Sequence, residues 1–149
     1  MPKSEVPVGW LMKHLGMTGR AIDDDFSARF RLQKSAFLLK HLGVKPFSDL
    51  GFSLYIHGPY SPTLAQWYYD AKPGGEADLD PGILSKLDWF MDNSDGWIEV
   101  ASAAIALKDS PGGINDRDLP GALRVSKPWV TDPMVEKVLR ELRSQKIIE

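Results

Sequence analysis

Residues 26–70 read FSARFRLQKSAFLLKHLGVKPFSDLGFSLYIHGPYSPTLAQWYYD, and the predicted fold is built around this stretch. Apolar residues recur at helical spacing from Phe26 to Gly43 and lie on two sides of the predicted helix, which indicates burial on both sides. Residues 23–25 are all Asp, the residue type that caps a helix N-terminus, and Gly43 suits a left-handed C-cap. The pattern therefore predicts a central helix.

Long basic side chains lie in the gaps between the two apolar faces of this helix, and we expect them to extend outward to solvent. Residues 26–69 contain five Lys or Arg and one Asp, whereas residues 70–118 contain eleven acidic and four basic residues. A locally basic face suits phosphate contacts even in a chain of formal net charge -2. The alternative is an ordinary solvated surface of mixed charge. The candidate DNA-binding residues are Arg29, Arg31, Lys34 and Lys40.

The alternation of apolar and polar residues from Phe52 to Ile56 predicts a short strand with one buried face. The Gly-Pro pair that follows predicts a turn. Ser61 suits an N-cap, and Pro62 suits the first position of a helix that runs to about Asp70. Some of the aromatic residues nearby are expected in the core, and the others are expected to form an exposed surface. Candidates for partner binding or for a structural turn are His57, Gly58, Pro59, Tyr60, Ser61 and Trp67.

The rest of the chain is predicted to be helical, with loops over residues 16–25, 72–81 and 109–118. A helix-turn-helix with Gly19 in its turn is one interpretation of the first two helices, and ordinary helix packing is the other. The final pair Ile147-Ile148 is expected to add a strand or to dock on the core. Predicted helices cover residues 6–15, 82–92, 97–108 and 119–125, and a last one begins at Thr131 or Asp132.

The chain has 149 residues and an apolar fraction of 43%, which suits a single domain with a real core. It contains no cysteine, which excludes disulfides, thiolate metal sites and a cysteine nucleophile. No apolar run is long enough to cross a membrane, and the N-terminus lacks a secretory core. We therefore expect a cytoplasmic protein without a membrane partner.

Candidate catalytic groups are sparse. The histidines His14, His41 and His57 lack the helical spacing of a metal site. His57 and Ser61 allow a base and nucleophile interpretation, but a helix cap is the simpler role for Ser61. We therefore expect no enzyme activity, no metal and no cofactor.

The motifs Arg31-Leu32-Gln33-Lys34 and Phe52-Ser53-Leu54-Tyr55-Ile56-His57-Gly58-Pro59-Tyr60-Ser61-Pro62 resemble those of the YwgA-like proteins. These are small proteins predicted to be winged-helix-like regulators. More distantly, the LQK helix and the GPYS turn are similar to those of Panacea-type antitoxins. Trp97-Ile98-Glu99 and Lys127-Pro128 extend the likeness. The resemblance implies a mainly α, α+β, winged-helix-like domain.

Two functions follow as expectations. The first is a transcriptional regulator that binds double-stranded DNA through the basic helix, with a homodimer as its expected form. The alternative is a protein-interaction module, such as an antitoxin or a defence-system accessory protein, that docks on a partner encoded nearby through the aromatic turn.

Overall fold

The computed structural model describes residues 5–18 and 21–149. It is mostly helical with one antiparallel two-stranded hairpin, which confirms the prediction of a mainly α, winged-helix-like α+β domain. The elements are α1 (Val8–His14), α2 (Ala21–Asp24), α3 (Phe26–His41), a 3-10 helix (Phe47–Asp49), β1 (Ser53–Tyr55), β2 (Gly58–Tyr60), α4 (Pro62–Asp70), α5 (Pro81–Met91), α6 (Asp95–Asp109), α7 (Leu119–Arg124) and α8 (Asp132–Ser144).

Helix α3 is the central element, as predicted from its two apolar faces. The Asp25 carboxylate accepts a 2.8 Å hydrogen bond from the Ser27 amide and caps the helix, and Gly43 adopts a φ of 81° just beyond its end. Residues 32–39 are all buried because α1, α5, α6 and the hairpin pack around them. Burial on every side explains why a basic residue in the middle of α3 lies far from solvent.

The apolar core is one continuous cluster that receives side chains from α1 to α8. Helix α6 contributes small side chains such as Ala101 and Ala104, which allow its backbone to approach α3 closely. Thr131 caps helix α8, because its hydroxyl accepts a hydrogen bond from the Met134 amide, and the helix buries an apolar stripe. That stripe consists of Val135, Val138, Leu139 and Leu142.

Several local predictions are wrong. The strand was expected to bury one face, but all three residues of β1 are exposed, as is Ile56 directly after it. Gly58 and Pro59 belong to β2, so the chain reverses at residues 56–57 and not at the Gly-Pro pair. The second half of the predicted loop over residues 16–25 is the short helix α2.

Two further expectations concern the ends of the chain. Ile147 docks on the core, where it is buried, and it does not extend a strand. Gly19, which was expected in the turn of a helix-turn-helix, lies outside the described residues. None of the helices in the part of the chain that the structure describes is long and apolar enough to cross a bilayer.

Candidate functional site

The candidate site is the hairpin β1–β2 together with the ends of α3 and α4 beside it. Gln33 on α3 joins these elements through its amide, whose Nε2 donates to the Ser61 carbonyl and whose Oε1 accepts from the Ser61 amide, each at 2.9 Å. The Ser61 hydroxyl in turn accepts from the Leu64 amide at 3.2 Å and caps α4. Ser61 therefore has a structural role as a cap, as predicted.

Lys34 fixes the second strand of the hairpin from the interior of the protein. Its Nζ donates a 2.8 Å hydrogen bond to the Pro59 carbonyl and lies 4.9 Å from the centroid of the Phe30 ring. The side chain is only 2% exposed, so the expectation that Lys34 extends to solvent is wrong. Burial lowers the pKa of Lys34 to about 8, an effect that nearby Glu99 partly offsets and nearby Lys127 reinforces.

A second buried lysine fixes the first residue of the hairpin turn, Ile56. Lys127 Nζ donates to the Ile56 carbonyl at 2.5 Å and lies 3.5 Å from Glu99 Oε2. The other oxygen of that carboxylate lies 3.1 Å from His57 Nδ1. Glu99 therefore links His57 on the turn to Lys127 from the loop before α8.

The sequence assigned no role to Lys127 or Glu99, although both belong to the segments that carry the family resemblance. A signal was present for Glu99, because it is the lone charged residue between Trp97 and Leu107 in an otherwise apolar and small-residue helix. No local pattern distinguishes Lys127 from a solvated lysine. We call Lys34 and Lys127 the lysine pair.

A glycine is required at position 58, where the hairpin backbone passes close to Lys34 and α6. Its φ is +98°, a conformation that L side chains rarely adopt. A Cβ at this position would lie 3.3 Å from both Lys34 Cε and Ser102 Oγ. The absence of a side chain allows the β2 backbone to approach α3 and α6 closely.

The other candidate DNA-binding residues also donate to protein acceptors. Arg29 Nη1 donates to the carbonyls of Ile22 at 2.8 Å and Asp23 at 3.2 Å. Lys40 Nζ donates to the Ser48 carbonyl at 3.1 Å.

Arg31 joins α3 to the end of α5 and the start of α6. Its Nη1 donates to Asp95 Oδ1 at 2.7 Å, and its Nη2 donates to the Met91 carbonyl. The four basic residues of α3 therefore do not form one exposed strip, and each fixes a neighbouring segment.

Large apolar side chains are exposed around the hairpin. They are between 44% and 71% exposed, and the most exposed is Ile56 at the turn. Contiguous apolar surface of this kind commonly marks a site of protein interaction. We call this surface the apolar cap, and it consists of Phe26, Leu54, Tyr55, Ile56 and Tyr69.

A cavity of about 460 Å³ opens within the apolar cap, between α3, the hairpin and α4. Its walls are aromatic, and neighbouring rings contact one another: Phe26 and Phe30 are 6.3 Å apart, and Tyr68 and Tyr69 are 5.1 Å apart. Burial raises the pKa of Tyr68 to about 12, so this phenol is neutral at physiological pH. We call this space the aromatic cavity, and its rings are Phe26, Phe30, Tyr55, Tyr60, Tyr68 and Tyr69.

The six candidate residues of the turn thus separate into different positions. His57, Gly58 and Tyr60 line the aromatic cavity, whereas Pro59 and Ser61 are buried. Trp67 is half-buried and packs against the core. The structure brings His57 and Tyr60 to the cavity with Tyr55, Tyr68 and Tyr69, and it places Trp67 elsewhere.

The three described histidines all lie close to acidic side chains. Each described histidine contacts a carboxylate: His14 contacts Asp88 at 2.6 Å, and His41 contacts Asp109 at 2.6 Å. Among the described residues, no group of His, Cys, Asp or Glu could hold a metal ion.

Comparison of the chain with protein-family models, with curated proteins and with solved structures finds no match.

Proposed function

We propose that this chain is a protein-interaction module that docks on its partner through the apolar cap. The observation that carries the proposal is the exposure of Leu54, Tyr55 and Ile56 on one short hairpin. The two strands have three residues each, and a hairpin of that length has little stability of its own in water. Its position is maintained by contacts with the rest of the protein.

The way in which the hairpin is held supports a binding role. Burying an ammonium group costs several kcal/mol before its partners compensate, so fixing a turn with a buried lysine pair carries a large desolvation penalty. Here both members donate to backbone carbonyls of the hairpin, at Ile56 and Pro59. The apolar side chains are thereby held in a fixed arrangement before a partner arrives, which reduces the entropy lost on binding.

The resemblance to Panacea-type antitoxins is consistent with this class of function. An antitoxin or a defence-system accessory protein would use such a surface to bind a protein encoded nearby. In this interpretation Gln33, Lys34 and the GPYS turn form the internal frame of the docking surface, and the partner contacts the side chains that this frame presents.

A DNA-binding winged-helix-like regulator is the second candidate. The basic side chains of α3 give it little support, because Arg31 and Lys40 donate to protein acceptors and Lys34 is buried. Helix α8 favours it, since Lys137 and Arg140 are exposed on the side opposite the apolar stripe. In this alternative α8 supplies the phosphate contacts.

The test is recovery of partners by tagged protein from its host, quantified by mass spectrometry for the wild type and two variants. Ile56→Asn removes an apolar group from the cap, and Val125→Asn removes one that is 87% exposed at the end of α7. We expect one specific partner that binds the wild type and the Val125 variant and is depleted at least about tenfold by the Ile56 variant. Equal recovery by both folded variants would refute the docking surface.

The DNA alternative is tested with the same preparations. Fragmented host DNA is selected at about 0.15 M salt, where weak backbone contacts are largely screened. Enrichment of a discrete site by the wild type, and its loss on charge reversal of Lys137 and Arg140, would establish the regulator in place of the docking module.

A further inference from the structure

We infer that the aromatic cavity binds an acidic peptide segment of the partner, with a large apolar or aromatic anchor side chain inserted and a neighbouring carboxylate paired with Arg29. This inference rests on the proposed docking function and identifies the chemistry of the docked segment. The cavity opens within the apolar cap, and Phe26, Tyr55, Ile56 and Tyr69 belong to both.

The size and walls of the cavity determine the anchor. A volume of about 460 Å³ lies within the range of specific binding pockets and is large enough for one bulky side chain with part of its backbone. Tyr68, at 1% exposure, forms the floor, and half-exposed Tyr55 and Tyr69 form the rim. A cleft with six aromatic rings favours an aromatic or large aliphatic group, because such groups bury the most apolar area and stack on its walls.

The charges at the cavity determine the sign of the partner. The described lining residues include Arg29, Lys34 and His57 and contain no Asp or Glu. Glu99, whose carboxylate contacts His57 and Lys127, is not among the residues that line the cavity. A peptide carboxylate at the mouth therefore meets the Arg29 guanidinium and no described acidic lining residue, although the whole chain carries a formal charge of -2.

Arg29 is the group best placed to bind that carboxylate. Its hydrogen bonds to Ile22 and Asp23 both use Nη1, and they hold the guanidinium near the start of α3 beside the cavity. A guanidinium has five N–H donors, so Nε and Nη2 can still donate to a carboxylate. Of the other two basic lining residues, Lys34 donates to the Pro59 carbonyl inside the protein and His57 contacts the Glu99 carboxylate.

A peptide fits this site better than a free small molecule does. Ile56 lines the cavity and is 71% exposed, and Leu54 on β1 is 44% exposed. A ligand confined to the cavity would leave those side chains in water. An extended peptide covers them, and the outer edge of β1 pairs with no other strand within residues 5–18 and 21–149, so it is open to main-chain hydrogen bonds.

The probe for this inference is a displayed library of random peptides, selected on the folded full chain at about 0.15 M salt. We expect enriched peptides to carry Trp, Phe or Leu next to Asp or Glu. Replacing the acid of a selected peptide by its amide should weaken binding about tenfold, and replacing the anchor by Ala should do so at least as strongly. Nuclear magnetic resonance shifts should map to the aromatic cavity.

Four variants make the test specific. Arg29→Gln should abolish the preference for the acidic peptide over its amide, whereas Arg29→Lys should retain it, and circular dichroism verifies that each is folded. Phe26→Ala should weaken the binding of both the acidic peptide and its amide, because Phe26 lines the cavity and is exposed. Val125→Asn, at the end of α7, should change neither.

Enrichment of basic peptides, enrichment without an anchor, or no enrichment from folded protein would overturn the inference. The proposed function fails separately, if the host partner is recovered equally by the Ile56 and Val125 variants. Self-association that depends on Phe26 would show that a second copy of the chain occupies the cavity, and it would also overturn the inference.

Discussion

Replacement of Lys34 by Met should remove a rise in stability that the wild type shows between about pH 7 and pH 9.5. The folded-state pKa of Lys34 is about 8 because the ammonium is buried, whereas the ordinary value of 10.5 applies to the unfolded chain. Between those values the unfolded chain retains a proton that the folded protein has released. Stability therefore increases as the pH rises through this window.

The size of the effect follows from the two pKa values. Below about pH 7 both states carry the ammonium, so the burial of this charge destabilises the folded state by an amount that does not depend on pH. From about pH 7 to pH 9.5 the free energy of unfolding of the wild type should increase by about 2 kcal/mol relative to that of Lys34→Met. Tyr68 imposes the upper limit, because its pKa of about 12 favours the unfolded state once ordinary tyrosines ionise above about pH 10.

Urea unfolding, followed by far-ultraviolet circular dichroism at intervals of pH, gives these free energies. The Met variant also leaves the Pro59 carbonyl without its donor, which costs about 1–3 kcal/mol at every pH. The comparison between the wild type and Lys34→Met therefore uses the slope of the free energy of unfolding against pH, and not its absolute value. Lys137→Met, at an exposed position on α8, should retain the wild-type profile. Parallel profiles for the wild type and Lys34→Met would refute the burial of a titrating ammonium under the hairpin.

Two further predictions concern the frame of the site and the loop before α7. Gly58→Ala should lower the free energy of unfolding by about 1–3 kcal/mol in urea titrations, because φ is +98° and a Cβ would press on Lys34 and Ser102. The control is Gly121→Ala on α7, which has open space around it and should be neutral or slightly stabilising. The hydrogen bond from Lys108 and the nearby Arg143 lower the pKa of Asp116, so its carboxyl should titrate below the ordinary value of 3.8 by nuclear magnetic resonance and return toward it in Lys108→Met. An Asp116 midpoint that Lys108→Met leaves unchanged would exclude that hydrogen bond as the cause.

Much of the helical framework could be predicted from the sequence because its signals are local. The apolar periodicity of α3, its Asp25 cap and Gly43 all lie within one continuous segment, and the structure contains each of them as expected. The same holds for Ser61 and Pro62 at the start of α4. Periodicity and capping depend on neighbours within a few residues, which a single sequence displays directly.

The exposure of the hairpin was decided by tertiary structure. Alternation from Phe52 to Ile56 has the same appearance whether the apolar face meets the core or solvent, and here Leu54 and Ile56 meet solvent. A period of two identifies the faces of a strand, but the position of the hairpin relative to α3 and α6 decides which face is covered.

The burial and the hydrogen-bond partners of the basic residues were also decided by tertiary structure. Lys34 donates to a carbonyl 25 positions away, and Lys127 donates to one 71 positions away. The sequence shows that these residues carry a charge, but it does not show where their acceptors will lie. Helical periodicity is fixed by adjacent residues, whereas the burial of a charge depends on partners that only the folded chain brings within hydrogen-bonding distance.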